Sequence, residues 1–379
     1  MPTMQSPPGA KTTIDGRSYT YFAGTGYLGL QGHPDVIRAA CEAVQKYGVG
    51  SATSRNRVGN TPPVLEVERR AAQLFGTDDA FYFASGYMSP AVVLSMSRGE
   101  FDAVLIDELA HYCLEEAAFK LGCPVVRFAH CDADALAANL KEMARTGSNV
   151  VVLTDGVFAA LGRLPPVAEY WRLLADHPGS MLLVDDAHGY GVVGEHGRGV
   201  LEHAGLWGEE VNVRWPSQDD DKPALWSCGT LSKALGGFGG IVPAGSEAVS
   251  VLKFKSPYGY AASGPAVPAA GASAEALRIV LEQPELLQQL RQNVVQLRSG
   301  LRSLGLDVED SPAAVIAVRL DTADQMRRVQ ETLAERGIWI AYVPSYSGVG
   351  TEGLLRLAVF ATHTSEMIEQ LLAELAALL

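Results

Sequence analysis

The run Thr230-Leu231-Ser232-Lys233-Ala234-Leu235-Gly236-Gly237-Phe238-Gly239-Gly240 sets one lysine among hydroxyls and glycines. A lysine amine attacks a carbonyl only when neutral, and its ordinary pKa is about 10.4. A reactive lysine therefore sits where burial or neighbouring charge lowers that value. Glycines let a bound group approach the backbone, and Thr230 and Ser232 offer hydroxyls to an anion. Taken by itself, the run fits a surface turn with a solvated lysine equally well.

Upstream, MLLVDDAH from Met181 reads as an apolar strand that ends in two carboxylates and an imidazole. Acids at the carboxyl end of such a strand lie where open α/β sheets bind ligands. Asp185 is read as functional, because His188 follows it closely. Asp186 is open to a second reading, the N-cap of a helix. DELAH, from Asp107 to His111, repeats the design of a strand ending in acid and imidazole. Ser85-Gly86-Tyr87 follows the strand-like FYFA and is expected to open a helix, whose free amides would seat a phosphate. Gly189-Tyr190-Gly191-Val192-Val193-Gly194 matches the dinucleotide pattern GxGxxG. Two aspartates precede it, and Gly197-Arg198-Gly199 stands where a helix should already be under way, so a nicotinamide or flavin is not expected.

One cofactor accounts for these parts: it has a phosphate, an aldehyde, a ring nitrogen that must stay protonated and a flat ring to be stacked. That cofactor is pyridoxal 5′-phosphate (PLP). Lys233 would form a Schiff base with its aldehyde, and Asp185 would pair with the pyridinium nitrogen and keep the ring an electron sink. His111 would cover the ring, and His188 would lie near its hydroxyl.

These residues need a scaffold. At 379 residues the chain exceeds the roughly 250 to 300 at which single cores stop growing, so two domains are expected. Short Val, Ile and Leu runs at 80–83, 103–106, 125–128, 150–153, 181–184, 225–227 and 240–243 alternate with helical patterns, as in a buried parallel sheet. A long helix over 284–304 is followed by strand 314–318, helix 323–336, strands 339–343 and 354–359, and helix 365–378. The expected division is an amino-terminal segment 1–34, a large cofactor-binding domain 35–270 and a small α+β domain 271–379. Residues 208–223, with Asp219, Asp220 and Asp221 in succession, read as an exposed loop. A net charge of -13 argues against nucleic acid or an anionic membrane as partner. The amino terminus lacks a signal-peptide core, no apolar run approaches membrane length, and the five cysteines form no CxxC pair. A cytoplasmic protein with reduced thiols is expected.

An ordered series of motifs carries a resemblance: GYLGL from Gly26, LEVERRAAQLFG from Leu65, FASGY from Phe83, DELAH from Asp107 and FAHCD from Phe128. TDGVF from Thr154, VDDAHGYGVVGEHGRG from Val184, TLSKALGGFGG from Thr230 and LLRLAVFATHT from Leu354 complete it. Together they resemble the α-oxoamine synthases, fold type I PLP enzymes whose members include 8-amino-7-oxononanoate synthase and 2-amino-3-ketobutyrate CoA ligase. The resemblance implies a large domain with a mixed, mostly parallel sheet. It implies Lys233 as the cofactor lysine, His111 on the ring, Asp185 at the pyridinium and His188 near the ring oxygen. Ser85, Gly86, Tyr87 and Thr230 would meet the phosphate, and Arg356 the substrate carboxylate. The implied reaction condenses an amino acid with an acyl thioester, on CoA or a carrier protein, and loses carbon dioxide to leave an α-amino ketone. A homodimer is implied as well. Because the Lys-Asp-His core is shared across fold type I, an aldol cleavage or a transamination is the alternative.

Some positions depart from the family pattern. Gly26 stands where Asn is usual, Pro62 where His is usual and Ala159 where Ser is usual. Leu161 and Arg163 replace acids, and Ala261-Ala262 replace a Ser-Thr pair expected to reach a partner's phosphate, with Ser263 nearby.

Overall fold

The computed structural model describes residues 1–208, 210–216 and 222–379. The acidic run Asp219 to Asp221, expected in an exposed loop, lies outside the described residues. At the amino terminus β1 (Lys11–Ile14) and β2 (Arg17–Tyr21) pair antiparallel. Their two-residue turn, Asp15-Gly16, has positive φ at both positions, the geometry that matches the twist of a tight hairpin.

The large sheet contains β3 (Asp79–Phe83), β4 (Ala103–Asp107), β5 (Val125–Phe128), β6 (Val150–Asp155), β7 (Met181–Asp185), β8 (Ala224–Thr230) and β9 (Gly240–Ala244). Its order is β3-β9-β8-β7-β6-β4-β5. Only β9 runs antiparallel to its neighbours, so the sheet is mixed and mostly parallel. Every residue of β4, β6, β7 and β8 is buried, because helices cover both faces. Leu183 packs into one layer with Leu114 and Trp226, while Leu182 and Val184 pack into the opposite layer with Tyr170 and Leu174. Burying each such side chain contributes about 1.5–3 kcal/mol.

The second half contains β10 (Val315–Val318), β11 (Ile338–Trp339), β12 (Ala341–Val343) and β13 (Leu354–Ala358). The single strand expected over 339–343 is in fact two, divided at the buried Ile340. The first, β11, pairs parallel with β2 of the amino-terminal hairpin, and the second, β12, pairs antiparallel with β13, whose other edge holds β10. The helix Val267–Glu282 spans residue 270 and carries the chain between cores: Ala270 and Leu277 pack beside β3, Ala276 and Ile279 in the carboxy-terminal core.

Candidate active site

Four neighbouring parallel strands stop at one edge of the sheet, and their last residues are Asp107 (β4), Asp155 (β6), Asp185 (β7) and Thr230 (β8). Asp155 and Asp185 stand side by side in register. At this edge lies a cavity of about 290 Å³ lined by Ser85, Gly86, Tyr87, His111, Asp185, His188, Thr230 and Lys233. Segments spread over 149 positions of sequence thus converge on one space, which is where an open α/β sheet forms its crevice. Cys113, Asp155, Ala187, Ser232 and Phe238 complete the lining.

Lys233 is half-buried at the cavity wall, and loss of hydration pushes its amine below the ordinary lysine value; the charges of Asp185 and Asp155 oppose that shift. Burial together with Asp185 drives the Asp155 carboxyl well above the usual carboxylate range. Asp155 Oδ2 accepts the backbone N–H of His111 at 2.8 Å, which ties the DELAH turn to β6. His111 caps the helix Tyr112–Phe119, its Nδ1 accepting from Cys113 N at 3.2 Å. The Cys113 thiol donates to Asp185 Oδ2 at 3.2 Å, and burial, reinforced by Asp185, raises that thiol so that it keeps its proton. Ala187 N donates to Asp185 Oδ1 at 3.1 Å, so both carboxylate oxygens are held.

His188 is buried, and desolvation, Lys233 and Arg356 hold it well below the ordinary histidine range, so it is neutral near pH 7. Its Nδ1 lies 2.8 Å from the hydroxyl of the fully buried Tyr27, whose oxygen accepts from Arg356 at 3.4 Å. With its oxygen accepting from Arg356, the tyrosine hydroxyl is assigned as donor to Nδ1, which places the imidazole proton on Nε2. Arg356, on β13, does not line the cavity but stands two hydrogen bonds behind His188, through Tyr27. Its Nε donates to Ala159 O at 2.8 Å and a terminal nitrogen to Gly24 O at 3.0 Å.

The helix expected to open at Gly86 is a single 3₁₀ turn, Gly86–Met88, running into the helix Ser89–Leu94. Ser85 caps it by accepting from Tyr87 N at 3.3 Å. A Cβ on Gly86 would collide with Thr230, so β8 and this turn meet only because residue 86 is glycine. Thr230 Oγ1 donates to Gly239 O at 2.8 Å and braces the glycine turn beyond Lys233. Asp186 is not the N-cap of a helix: the helix Val200–His203 has Gly199 in that position, and Asp186 Oδ2 accepts from Val200 N at 2.6 Å from 14 positions upstream. The GxGxxG stretch forms turns and a bridge between Tyr190 and Arg198, with no helix directly after it; the next helix, Val200–His203, begins beyond Gly199.

Among the departures, Ala159 presents its carbonyl to Arg356, whereas Pro62 is the exposed first residue of the helix Pro62–Phe75 and does not line the cavity. Arg163 pairs with Glu309 at 3.4 Å. Ser263 is exposed and bridges to Ser54. Cys113, Asp155 and Tyr27 are site residues that sequence reasoning passed over. Asp155 carried a usable signal, since TDGVF is another apolar strand ending in acid. The other two carried none, because their roles depend on contacts with distant residues.

Residues 22–375 match the aminotransferase class I and II family. An 8-amino-7-oxononanoate synthase of Methylococcus capsulatus is 38% identical over 98% of this chain and 92% of its own. One from Cellvibrio japonicus is 35% identical over 97% and 89%. A solved serine palmitoyltransferase from S. paucimobilis, with a bound PLP–myriocin aldimine, superposes with a TM-score of 0.88 at 25% identity, covering 100% of this chain and 92% of that one.

The chain belongs to the α-oxoamine synthase branch of the aminotransferase class I and II family. As a member of that branch it is a PLP-dependent enzyme. The α-oxoamine synthase cavity fits the cofactor on its own terms. It offers an amine of lowered pKa, a carboxylate at a strand end, and a glycine cradle against Thr230 that a Cβ would fill. No helix among the described residues is long and apolar enough to cross a membrane.

Proposed function

We propose that this enzyme condenses an amino acid with an acyl thioester, as the 8-amino-7-oxononanoate synthases it resembles do. A bond forms between the amino acid's α-carbon and the acyl carbon while the thioester C–S bond breaks. Carbon dioxide and the thiol leave, and an α-amino ketone remains. When bound, PLP supplies an electron sink for the charge that develops at the α-carbon.

The residues take these parts. Lys233 Nζ would hold the cofactor through its aldehyde carbon and, when free, would take the amino acid's α-proton and return a proton to that carbon once carbon dioxide has left; loss of hydration favours the neutral amine. Asp185, held by Cys113 and Ala187, keeps the ring nitrogen protonated. His111 would cover the ring, and His188 would present Nε2–H to the ring oxygen. Ser85, Gly86, Tyr87 and Thr230 seat the phosphate, and Arg356 takes the amino acid's carboxylate. The observation that carries this reading is the convergence of eight residues, marked from separate motifs, on one cavity.

The enzyme is further proposed to act as a homodimer in the cytoplasm, a compartment suited to five free thiols. The decisive experiment measures free thiol and carbon dioxide over a panel of amino acids and acyl-CoA donors. Equal release of the two, only when both substrates are present, is expected. Conversion of an amino acid with no thioester present would overturn the proposal in favour of transamination or aldol cleavage.

A further inference from the structure

The segment GTGYLGLQ, residues 24–31, holds three site residues at once. Gly24 O takes Arg356, Tyr27 meets His188, and Gln31 Nε2 donates to the backbone carbonyl of Lys233 at 2.6 Å. That carbonyl also accepts from Gly236 N at 3.1 Å, closing the turn after the lysine. The carboxamide of Gln31 lies against Gly26: a Cβ there would stand 2.6 Å from Oε1, 3.0 Å from Cδ and 3.1 Å from Nε2. Gly26 does not have a left-handed φ, so its backbone makes no demand for glycine. A Cβ there would instead displace the end of the Gln31 side chain. Gln31 Oε1 is itself buried and lacks a partner, so this amide is placed for what its N–H does rather than by mutual satisfaction of both ends.

We infer that Gln31 is a positioning residue for Lys233: its carboxamide fills the side-chain space left open at Gly26 and fixes the Lys233 carbonyl, so that Nζ enters the cavity from a set backbone. The inference rests on the assignment of Lys233 as the cofactor lysine. A flexible lysine stem translates a small backbone shift into a large change at Nζ, and proton removal depends on that geometry.

The test uses purified holoenzyme: wild type, Q31A, G26A and the double variant, with Q31E as a second probe that keeps the shape of the side chain but loses the donor. Readouts are the visible absorbance of the lysine-linked cofactor as a function of pH, and kcat and KM for the preferred amino acid. One neutral hydrogen bond corresponds to about a two- to tenfold effect. Q31A and Q31E are expected to bind PLP, to shift the pH midpoint of the visible band by about half to one unit, and to lower kcat with KM little changed. G26A should reproduce the shift by displacing the carboxamide, yet add nothing in the Q31A background. An intact wild-type band with Q31A, Q31E and G26A all titrating like wild type overturns this inference alone. A wild-type protein with no borohydride-sensitive band overturns the assignment of Lys233 and this inference with it.

Discussion

Lys233 is the residue on which the proposed chemistry turns, and its environment sets opposing demands. Loss of hydration disfavours the ammonium, while Asp185 and Asp155 favour it; loss of hydration prevails, and the amine is lowered from its ordinary 10.5. The sign matters for reactivity, since a lowered pKa extends the neutral, nucleophilic form to lower pH. The rate at which apoenzyme takes up PLP should therefore rise with pH and reach half its maximum below 10.5. Replacing Asp185 with Asn removes a charge that holds the ammonium in place, so the midpoint should move lower still. A midpoint at or above the ordinary lysine value, or one that rises in D185N, would contradict this account. At this scale the sequence was highly legible: Lys233, Asp185, His111 and His188 were each recognisable because chemistry restricts the residue type. Cys113 and Tyr27 were not, because a thiol or a phenol becomes a site residue only through the geometry of its partner.

Among the elements, the loop from Asp186 to Gly199 illustrates how a motif's letters and its structure part company. GYGVVG has the spacing of a dinucleotide site, yet its first glycine, with Gly156 and Gly199 from outside the motif, makes room for a buried carboxylate. A Cβ at Gly156, Gly189 or Gly199 would collide with Asp186, whose Oδ2 caps Val200 while Oδ1 has no partner. Burial, against the single amide bond from Val200, raises this carboxyl to about 8. The folded state then binds a proton that the unfolded chain releases near the ordinary aspartate value of about 3.9, so this group's contribution to stability declines as pH rises from about 4 to about 8. Asp186→Asn keeps the acceptor for Val200 and cannot ionise. Relative to wild type, the variant should thus be more stable at pH 8 than at pH 5, as read from thermal melts. A difference that runs the other way would mean that Asp186 is ionised in the fold. Asp185 ends β7 and lines the cavity, whereas Asp186, the next residue, lies just past the strand and turns into the glycine nest.

For the molecule as a whole, the strands of the large sheet fell close to their expected positions, since continuous Val and Leu runs leave few alternatives. What joins the halves was not legible, because it depends on pairing over long sequence separations. β2 pairs with β11, so residues near 20 meet residues near 338, and hydrogen bonds from Arg356 span 332 positions to Gly24 and 197 to Ala159. Arg356 is buried and its guanidinium ties β13 to the amino-terminal segment and to the turn after β6; its proposed second duty is to bind the substrate carboxylate. The duties predict different losses. Arg356→Lys keeps the charge but replaces a planar fork with a point donor, so at least one buried carbonyl loses its partner, at about 1–3 kcal/mol. Urea unfolding should report that loss, and KM for the amino acid should rise about tenfold while kcat changes less, as for a group that binds ground state and transition state alike. If stability falls while KM is unchanged, Arg356 is a tie between the halves and nothing more, and the substrate carboxylate must be met by another residue of the cleft.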